Sequence, residues 1–131
     1  MAYRDDFMSR EIKFRGLHPP TKTIMDVCVI DWMHDEVYFE QGTDVSYPID
    51  ECNLMQYTGL KDRNGVECYE GDVVMCYPDL DISYIKVVEW DAESPSLGIT
   101  TNGRSGATLC KHNQDILEVI GNIHLNPDLL Q

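Results

Sequence analysis

Residues 55–74 read MQYTGLKDRNGVECYEGDVV, and this stretch decides the fold. Its first part, together with the preceding Leu54, is apolar and aromatic enough for a β-strand. The turn that follows contains Asn64-Gly65. Glycine has no Cβ to clash, so it supplies the positive φ that tight hairpin turns need. The stretch therefore predicts a β-hairpin with Gly65 at positive φ.

The residues after this hairpin predict a small β-barrel. Glu70-Gly71-Asp72 interrupts the chain, and the β-branched run that follows reads as a strand over 73–77. A Gly-Asp pair before such a run is common at the first full strand of SH3-like barrels. Further strands are predicted over 82–90, 97–101 and 117–123. Strands at intervals of about 8–12 residues, with turn signals between them, are typical of a small barrel or sandwich.

The N-terminal part of the chain predicts a smaller β-meander. Charged and apolar residues alternate over 10–15, which indicates a half-buried strand. Residues 24–32 and 37–39 are rich in apolar and β-branched residues around a polar turn, so they predict a hairpin. Residues 41–50 are rich in turn formers and indicate a loop or a linker. Some helical periodicity over 46–55 leaves one short helix open.

These patterns together predict a mainly β protein. Residues 1–50 would form an N-terminal β-hairpin segment, and residues 51–131 would form an SH3-like β-barrel domain. The alternative is an α+β fold with one short helix. Near the C-terminus, Asn126-Pro127-Asp128 has the residue types of a helix start, and only three residues follow it.

The overall composition is that of an ordinary soluble globular protein. The chain has 131 residues, of which 43% are apolar. No apolar run approaches the roughly 18 residues needed to cross a bilayer. Acidic residues near the N-terminus stand where a signal peptide would carry an apolar core. We therefore expect a cytoplasmic protein with no membrane partner.

Five cysteines are scattered through the chain, with no Cys-x-x-Cys motif; they are Cys28, Cys52, Cys68, Cys76 and Cys110. An odd count without paired spacing predicts reduced thiols rather than a disulfide framework. The four histidines are far apart in sequence, and Cys110-x-His112 is the one close pair of possible metal ligands. A structural zinc needs four ligands. We therefore predict no metal and no cofactor.

The chain also lacks a recognisable catalytic motif. It contains no Gly-x-Ser-x-Gly, no Walker-type loop and no Gly-x-Gly-x-x-Gly. We assign no catalytic residue, and a non-enzymatic role is favoured. A small metal-dependent hydrolase using Glu70, Asp72 and Glu89 is an alternative. The simpler interpretation places the first two in turns and leaves Glu89 on a solvent face.

The strong negative charge limits the choice of partners. Ten basic residues face twenty-three acidic ones, giving a formal net charge of −13. Phosphates would be repelled, so direct nucleic-acid binding is not expected. One interpretation is an acidic protein whose charge limits self-association. The other is a surface that mimics DNA and inhibits a nucleic-acid enzyme.

Three blocks of the sequence resemble the YopX family, which is found in phages and prophages. Residues 55–74 resemble its hallmark segment, residues 10–15 its opening strand, and residues 118–130 its closing strand and tail. The blocks occur in the family's order and span most of the chain. The resemblance implies an SH3-like barrel in the C-terminal half and a phage or prophage protein in a bacterial host cell. It supplies no catalytic residue, because the family has no assigned biochemical role.

We accordingly expect an accessory protein that works by binding a protein partner, without catalysis. Four aromatic residues outside the predicted barrel are candidates for the interface: Phe14, Trp32, Tyr38 and Phe39. Trp32 is favoured among them, because tryptophan is enriched at binding hot spots. An isolated hairpin is marginal in water, so these residues should pack on the barrel or on a second copy of the chain. If they pack on a second copy, the protein is a homo-oligomer formed through its N-terminal segment, and this is our hypothesis.

Overall fold

The structure is a computed structural model that describes residues 11–42, 44–91, 96–100 and 115–130. Within these residues the chain forms ten β-strands, numbered here in chain order. They are β1 (Phe14–His18), β2 (Thr23–Asp31), β3 (Glu36–Phe39), β4 (Ser46–Pro48), β5 (Met55–Lys61), β6 (Glu67–Tyr69), β7 (Asp72–Asp79), β8 (Ile82–Asp91), β9 (Ser96–Thr100) and β10 (Leu117–Asn122). Short 3-10 helices cover Ile49–Glu51 and Pro127–Leu130. In this part of the chain no helix is long and apolar enough to cross a membrane.

The strands form two antiparallel sheets. One has six strands in the order β4-β3-β2-β1-β5-β6, and the other has four in the order β10-β7-β8-β9. The mainly β prediction is confirmed. The SH3-like barrel is not confirmed, because the residues that the structure describes form two open sheets and no closed barrel. The six-stranded sheet includes strands from both sides of residue 50, and the division into two domains there stays a prediction.

The linker expected over 41–50 is partly structured. It contains β4, which pairs with β3 through Val37 and Tyr47, and the 3-10 helix Ile49–Glu51. A strand this short depends on pairing with its neighbour more than on its own composition. This 3-10 helix lies within the 46–55 stretch of helical periodicity, and Pro127–Leu130 forms the predicted C-terminal turn.

The first sheet buries its own apolar cluster. Val37, Phe39 and Cys52 are fully buried, with further apolar side chains packed around them. Gly16 in β1 is what allows this close packing, because a Cβ there would lie 2.8 Å from the Cys52 carbonyl oxygen. The neighbouring Leu17 N–H donates to the same carbonyl at 2.6 Å. The β1 backbone therefore sits directly against the segment that leads into β5.

The second sheet buries a separate apolar cluster. Val74, Cys76, Val88 and Leu117 are its buried members, one or two from each of β7, β8 and β10. These are the apolar positions of the strands that follow the Gly-Asp pair. Leu60 of β5, in the first sheet, packs against this cluster. Polar contacts between the sheets add to this apolar contact.

Asp62 makes one of these contacts from the predicted hairpin turn. Its buried carboxylate accepts the backbone N–H groups of Asn64 at 2.8 Å, Val66 at 2.9 Å and Val119 at 2.9 Å. The first two bonds shape the turn, and the third reaches β10 in the other sheet. Gly65 has a φ of 82° and its N–H donates to the Asp62 carbonyl at 3.0 Å. The predicted positive φ at Gly65 is confirmed.

Asp72 makes the second contact between the sheets. It is fully buried at the start of β7 and forms an ion pair with Arg15 of β1. Oδ2 of Asp72 accepts the Tyr69 N–H at 2.8 Å. Oδ1, which pairs with Arg15, also accepts from Nδ2 of Asn122 in β10 at 3.4 Å. The Arg15 guanidinium also lies 4.0 Å from the centre of the Tyr69 ring. Burial raises the pKa of the Asp72 carboxyl, while Arg15 and the Tyr69 N–H oppose that rise.

Replacing Gly65 with valine should lower the free energy of unfolding by about 1–2 kcal/mol, the cost of a Cβ in the left-handed region. No atom lies within 4 Å of the added Cβ, so backbone conformation alone causes the loss. Chemical denaturation measures it. Gly65→Asn is the matched control and should lose less, because asparagine tolerates this region. Equal stability of the valine variant and the parent would contradict the turn assignment.

Replacing Asp72 with asparagine should lower the free energy of unfolding by about 2–4 kcal/mol, since it leaves the Arg15 charge without its buried partner. Asp115→Asn is the control, because Asp115 is exposed and its substitution should change stability by no more than about 0.5 kcal/mol. Urea denaturation of the three proteins gives the comparison. A loss at Asp72 no larger than that at Asp115 would show that the ion pair does not join the sheets.

Candidate functional site

The turn between β2 and β3 is the candidate site, because it carries Trp32. We call residues 31–36 the Trp32 turn. The Asp31 carboxylate holds it from inside: Oδ1 accepts the N–H groups of Met33 and His34, each at 3.1 Å. Oδ2 lies 2.8 Å from Nδ1 of His34. Asp35 has a positive φ of 55°, which aspartate tolerates better than most residues. The turn is therefore fixed by its own side chains.

This fixed turn presents two large apolar side chains to solvent. Trp32 is 67% exposed and Met33 is 86% exposed. Single exposed apolar residues are ordinary on protein surfaces, but two adjacent ones on a rigid turn make a compact apolar projection. Met33 was predicted only as part of a polar turn. Asp31 two residues before it was the available signal, because aspartate side chains cap turns of this kind.

Acidic side chains lie next to this projection. Asp35 and Glu36 belong to the turn, and the N–H of Ile49 donates to the Asp35 carbonyl at 2.9 Å. That bond brings the 3-10 helix beside the turn, and with it the exposed Asp50 and Glu51. The Trp32 turn is thus an apolar projection with acids on its flank.

The whole segment that carries the turn contains no lysine or arginine. Residues 23–60 include eight acids and no Lys or Arg. The eight are Asp26, Asp31, Asp35, Glu36, Glu40, Asp44, Asp50 and Glu51. We call residues 23–60 the base-free segment. A run of one sign over this length gives the surface around the turn a negative potential.

The electrostatics of the turn also affect its histidine. The hydrogen bond and charge of Asp31 raise the pKa of His34. The same hydrogen bond lowers the pKa of Asp31. Both side chains are solvent-accessible, so this pair shapes the turn locally and adds little to global stability.

The other three candidate interface residues lie in different environments. Phe39 is fully buried in the core of the first sheet, and His18 packs edge-on against it with 5.3 Å between ring centres. Phe14 is half-buried. Tyr38 is half-buried, and its hydroxyl donates to Glu36 at 3.4 Å. Of the four, Trp32 is the one that is largely exposed.

The acids named in the hydrolase alternative take part in structural contacts. Asp72 is the buried partner of Arg15, and Oε1 of Glu70 accepts the N–H of Gln56 at 3.0 Å. Glu89 is half-buried in β8. Among the residues described, no three His, Cys, Asp or Glu side chains are grouped to hold a metal ion. The Cys110-x-His112 pair lies outside the described residues.

A small pocket lies on the first sheet, at the opposite end of β2 from the turn. Its volume is about 250 Å³, and its lining residues are Arg15, Ile24, Met25, Asp26, Glu40 and Gln41. Two of these residues are acids of the base-free segment. Arg15 is committed to Asp72, so the pocket does not offer an unpaired guanidinium to an anion. Its volume is below the range of about 300–1,000 Å³ typical of ligand sites.

Comparison with known proteins places the chain in a family. Curated proteins give no match. The chain is similar to the crystal structure of protein EF1440 from Enterococcus faecalis, with a TM-score of 0.67 and 25% sequence identity over 94% of this chain and 100% of that one. The sequence profile of the YopX protein family matches residues 13–131, which is nearly the whole chain. The chain belongs to the YopX protein family.

Proposed function

We propose that this protein is a phage or prophage accessory protein that acts in the bacterial cytoplasm as a non-enzymatic, protein-binding module. The Trp32 turn is its contact surface. The observation that carries this proposal is the exposure of Trp32 and Met33 side by side, on a turn held by three contacts to Asp31.

Trp32 and Met33 have complementary properties for protein recognition. A tryptophan side chain offers a large apolar area with few rotatable bonds, and it is enriched at hot spots. Methionine is flexible and polarizable, so it fits irregular partner surfaces. Because Asp31 already orders the turn, binding loses little backbone entropy there. A rigid apolar projection of this kind supports binding into a pocket on a partner.

The base-free segment favours a second candidate function, a DNA mimic that inhibits a host nucleic-acid enzyme. Eight acids without a lysine or arginine over residues 23–60 provide the negative surface that such a mimic needs. The two candidates differ in their dependence on Trp32. A DNA mimic binds through charge and is displaced by DNA, whereas a protein-binding projection loses its partner when the apolar side chains are removed.

The hypothesis of a homo-oligomer formed through the N-terminal segment stays a prediction. The burial of Phe39 and the half-burial of Phe14 and Tyr38 account for three of its four aromatic residues within one chain. Of these four aromatic residues, Trp32 is the one left largely exposed for a second copy or for another partner.

Replacing both Trp32 and Met33 with serine should abolish capture of the partner from a lysate of the bacterial host, because the apolar contact is lost. Quantitative mass spectrometry of affinity-purified complexes measures the capture. Leu80→Ser is the matched control, because Leu80 is fully exposed at the β7–β8 turn. The Leu80→Ser protein should capture the same proteins as the parent. All three proteins should unfold within about 0.5 kcal/mol of each other, because the changes are at the surface.

Capture that survives in the Trp32→Ser/Met33→Ser protein would contradict the proposed contact surface. If excess duplex DNA also displaces the captured proteins, the DNA mimic becomes the better account. Displacement by DNA together with dependence on Trp32 would mean that the two surfaces overlap.

The pKa of His34 should be higher than that of an ordinary histidine, because the Asp31 carboxylate stabilises the imidazolium. A raised folded-state pKa means that the pair's contribution to stability is present below the unfolded pKa and is lost as the pH rises through the folded one. An NMR titration of the imidazole resonances measures this pKa. In Asp31→Asn it should fall toward the ordinary value, and an unchanged pKa would show that the contact does not form in solution.

A further inference from the structure

We infer that the partner of the Trp32 turn is a basic protein surface, in which lysine and arginine side chains surround an apolar pocket. This inference rests on the proposed function and specifies the chemistry of the partner. The apolar part would receive Trp32 and Met33, and the basic rim would face the acids beside them.

The first support is the position of the acids relative to the apolar residues. Asp35 and Glu36 follow Met33 and His34 directly in the same turn. Asp50 and Glu51 are exposed beside it, held there by the bond from the Ile49 N–H to the Asp35 carbonyl. A partner that covers Trp32 must therefore place its rim near these carboxylates. Charges of opposite sign in that rim would be attractive, and charges of the same sign would be repulsive.

The second support is the distance of the turn from neighbouring cations. In the ladder between β1 and β2, the pair farthest toward the turn is Arg15 and Asp26. Asp31 lies five residues further along β2, which corresponds to about 17 Å of extended chain. That exceeds the Debye length of about 8 Å at physiological salt. Arg15 is moreover paired with Asp72. Lys13, which precedes β1 on the side toward the turn, is paired with Glu67. Both cations are therefore already paired with acids outside the turn.

The same charges disfavour the other classes of occupant. A second copy in a two-fold contact would bring two patches of the same negative charge together, because both subunits use the same patch. Nucleic acids and anionic lipid surfaces would be repelled in the same way. An uncharged apolar pocket could receive Trp32, but it would gain nothing from the flanking acids. An apolar pocket with a basic rim would contact both the exposed apolar side chains of the turn and the acids beside them.

Two synthetic peptides with the same leucine-rich apolar face test this inference. One carries lysine and arginine at its flanking positions, and the other carries glutamate there. Full-length protein with Trp90→Phe has Trp32 as its single tryptophan, so its fluorescence reports on this site. We expect the basic peptide to shift the Trp32 emission to the blue and the acidic peptide to have no effect. Added salt should weaken the binding.

A pair of charge-matched variants shows whether the acids act locally. Asp50→Asn/Glu51→Gln removes two carboxylates beside the turn, and Asp115→Asn/Asp128→Asn removes two exposed carboxylates elsewhere. Both doubles change the net charge by the same amount. The first should weaken binding of the basic peptide at low ionic strength by roughly three- to tenfold, and the second by less than about twofold.

Equal weakening in both double variants would overturn the inference, because binding would then follow net charge alone. Equal binding of the two peptides would also overturn it. A blue shift of the Trp32 emission with rising protein concentration, in the absence of peptide, would overturn it too, because it indicates a second copy at the turn. The proposed function is tested separately by capture with Trp32→Ser/Met33→Ser. If that capture depends on the turn while the peptide and charge results fail, only the partner's chemistry is wrong.

Discussion

The ion pair between Arg15 and Asp72 is the constraint on which the arrangement of the two sheets depends. Each sheet has its own apolar cluster, and Leu60 of β5 also packs against the cluster of the second sheet, so apolar contact and polar bonds act together where the sheets meet. Asp72 is fully buried and needs a cation to offset the loss of hydration. Arg15 supplies it from β1, and Tyr69 and Asn122 complete the bonding of the carboxylate from β6 and β10. A shift of one sheet against the other would break several of these bonds at once.

The stretch that decides the fold owes its residue pattern to these backbone requirements. Three of its glycines, at 59, 65 and 71, have positive φ values of 82–89°, a conformation that favours glycine. Its two buried acids, Asp62 and Asp72, bond backbone N–H groups and a partner in the other sheet. Its remaining acid pair, Glu67 and Glu70, contacts Lys13 and the Gln56 N–H. Residues 55–74 therefore supply many of the contacts between the two sheets.

Local pattern was enough to predict most of the strands and the Gly65 turn, because alternation and turn chemistry act within a few residues. It missed β4, and it placed the first strand at 10–15, whereas β1 covers Phe14–His18. It was not enough to predict how the strands are arranged. The pairing of Phe14 with Gln56 joins residues 42 positions apart, and no local spacing specifies it. The SH3-like detail is not confirmed, since β5 and β6 pair into the six-stranded sheet and β7 to β10 form the other sheet. The sequence predicts Phe39 as an interface residue, but the structure buries it against Val37 and Cys52. The tertiary fold makes this packing, so local pattern does not show it.

The exposure of the candidate site could not be predicted from local sequence either. Trp32 could be selected from composition, since tryptophan is common at interfaces, but its exposure depends on the turn that Asp31 holds. The fold thus uses its carboxylates in two ways. Asp62 and Asp72 are buried and bonded, so changing them alters the fold. Asp31 is half-buried and bonds the backbone of the Trp32 turn, so changing it alters the turn. Asp35, Asp50 and Glu51 are exposed and lie away from the contacts between the sheets, so their charge can be changed while the sheets stay fixed.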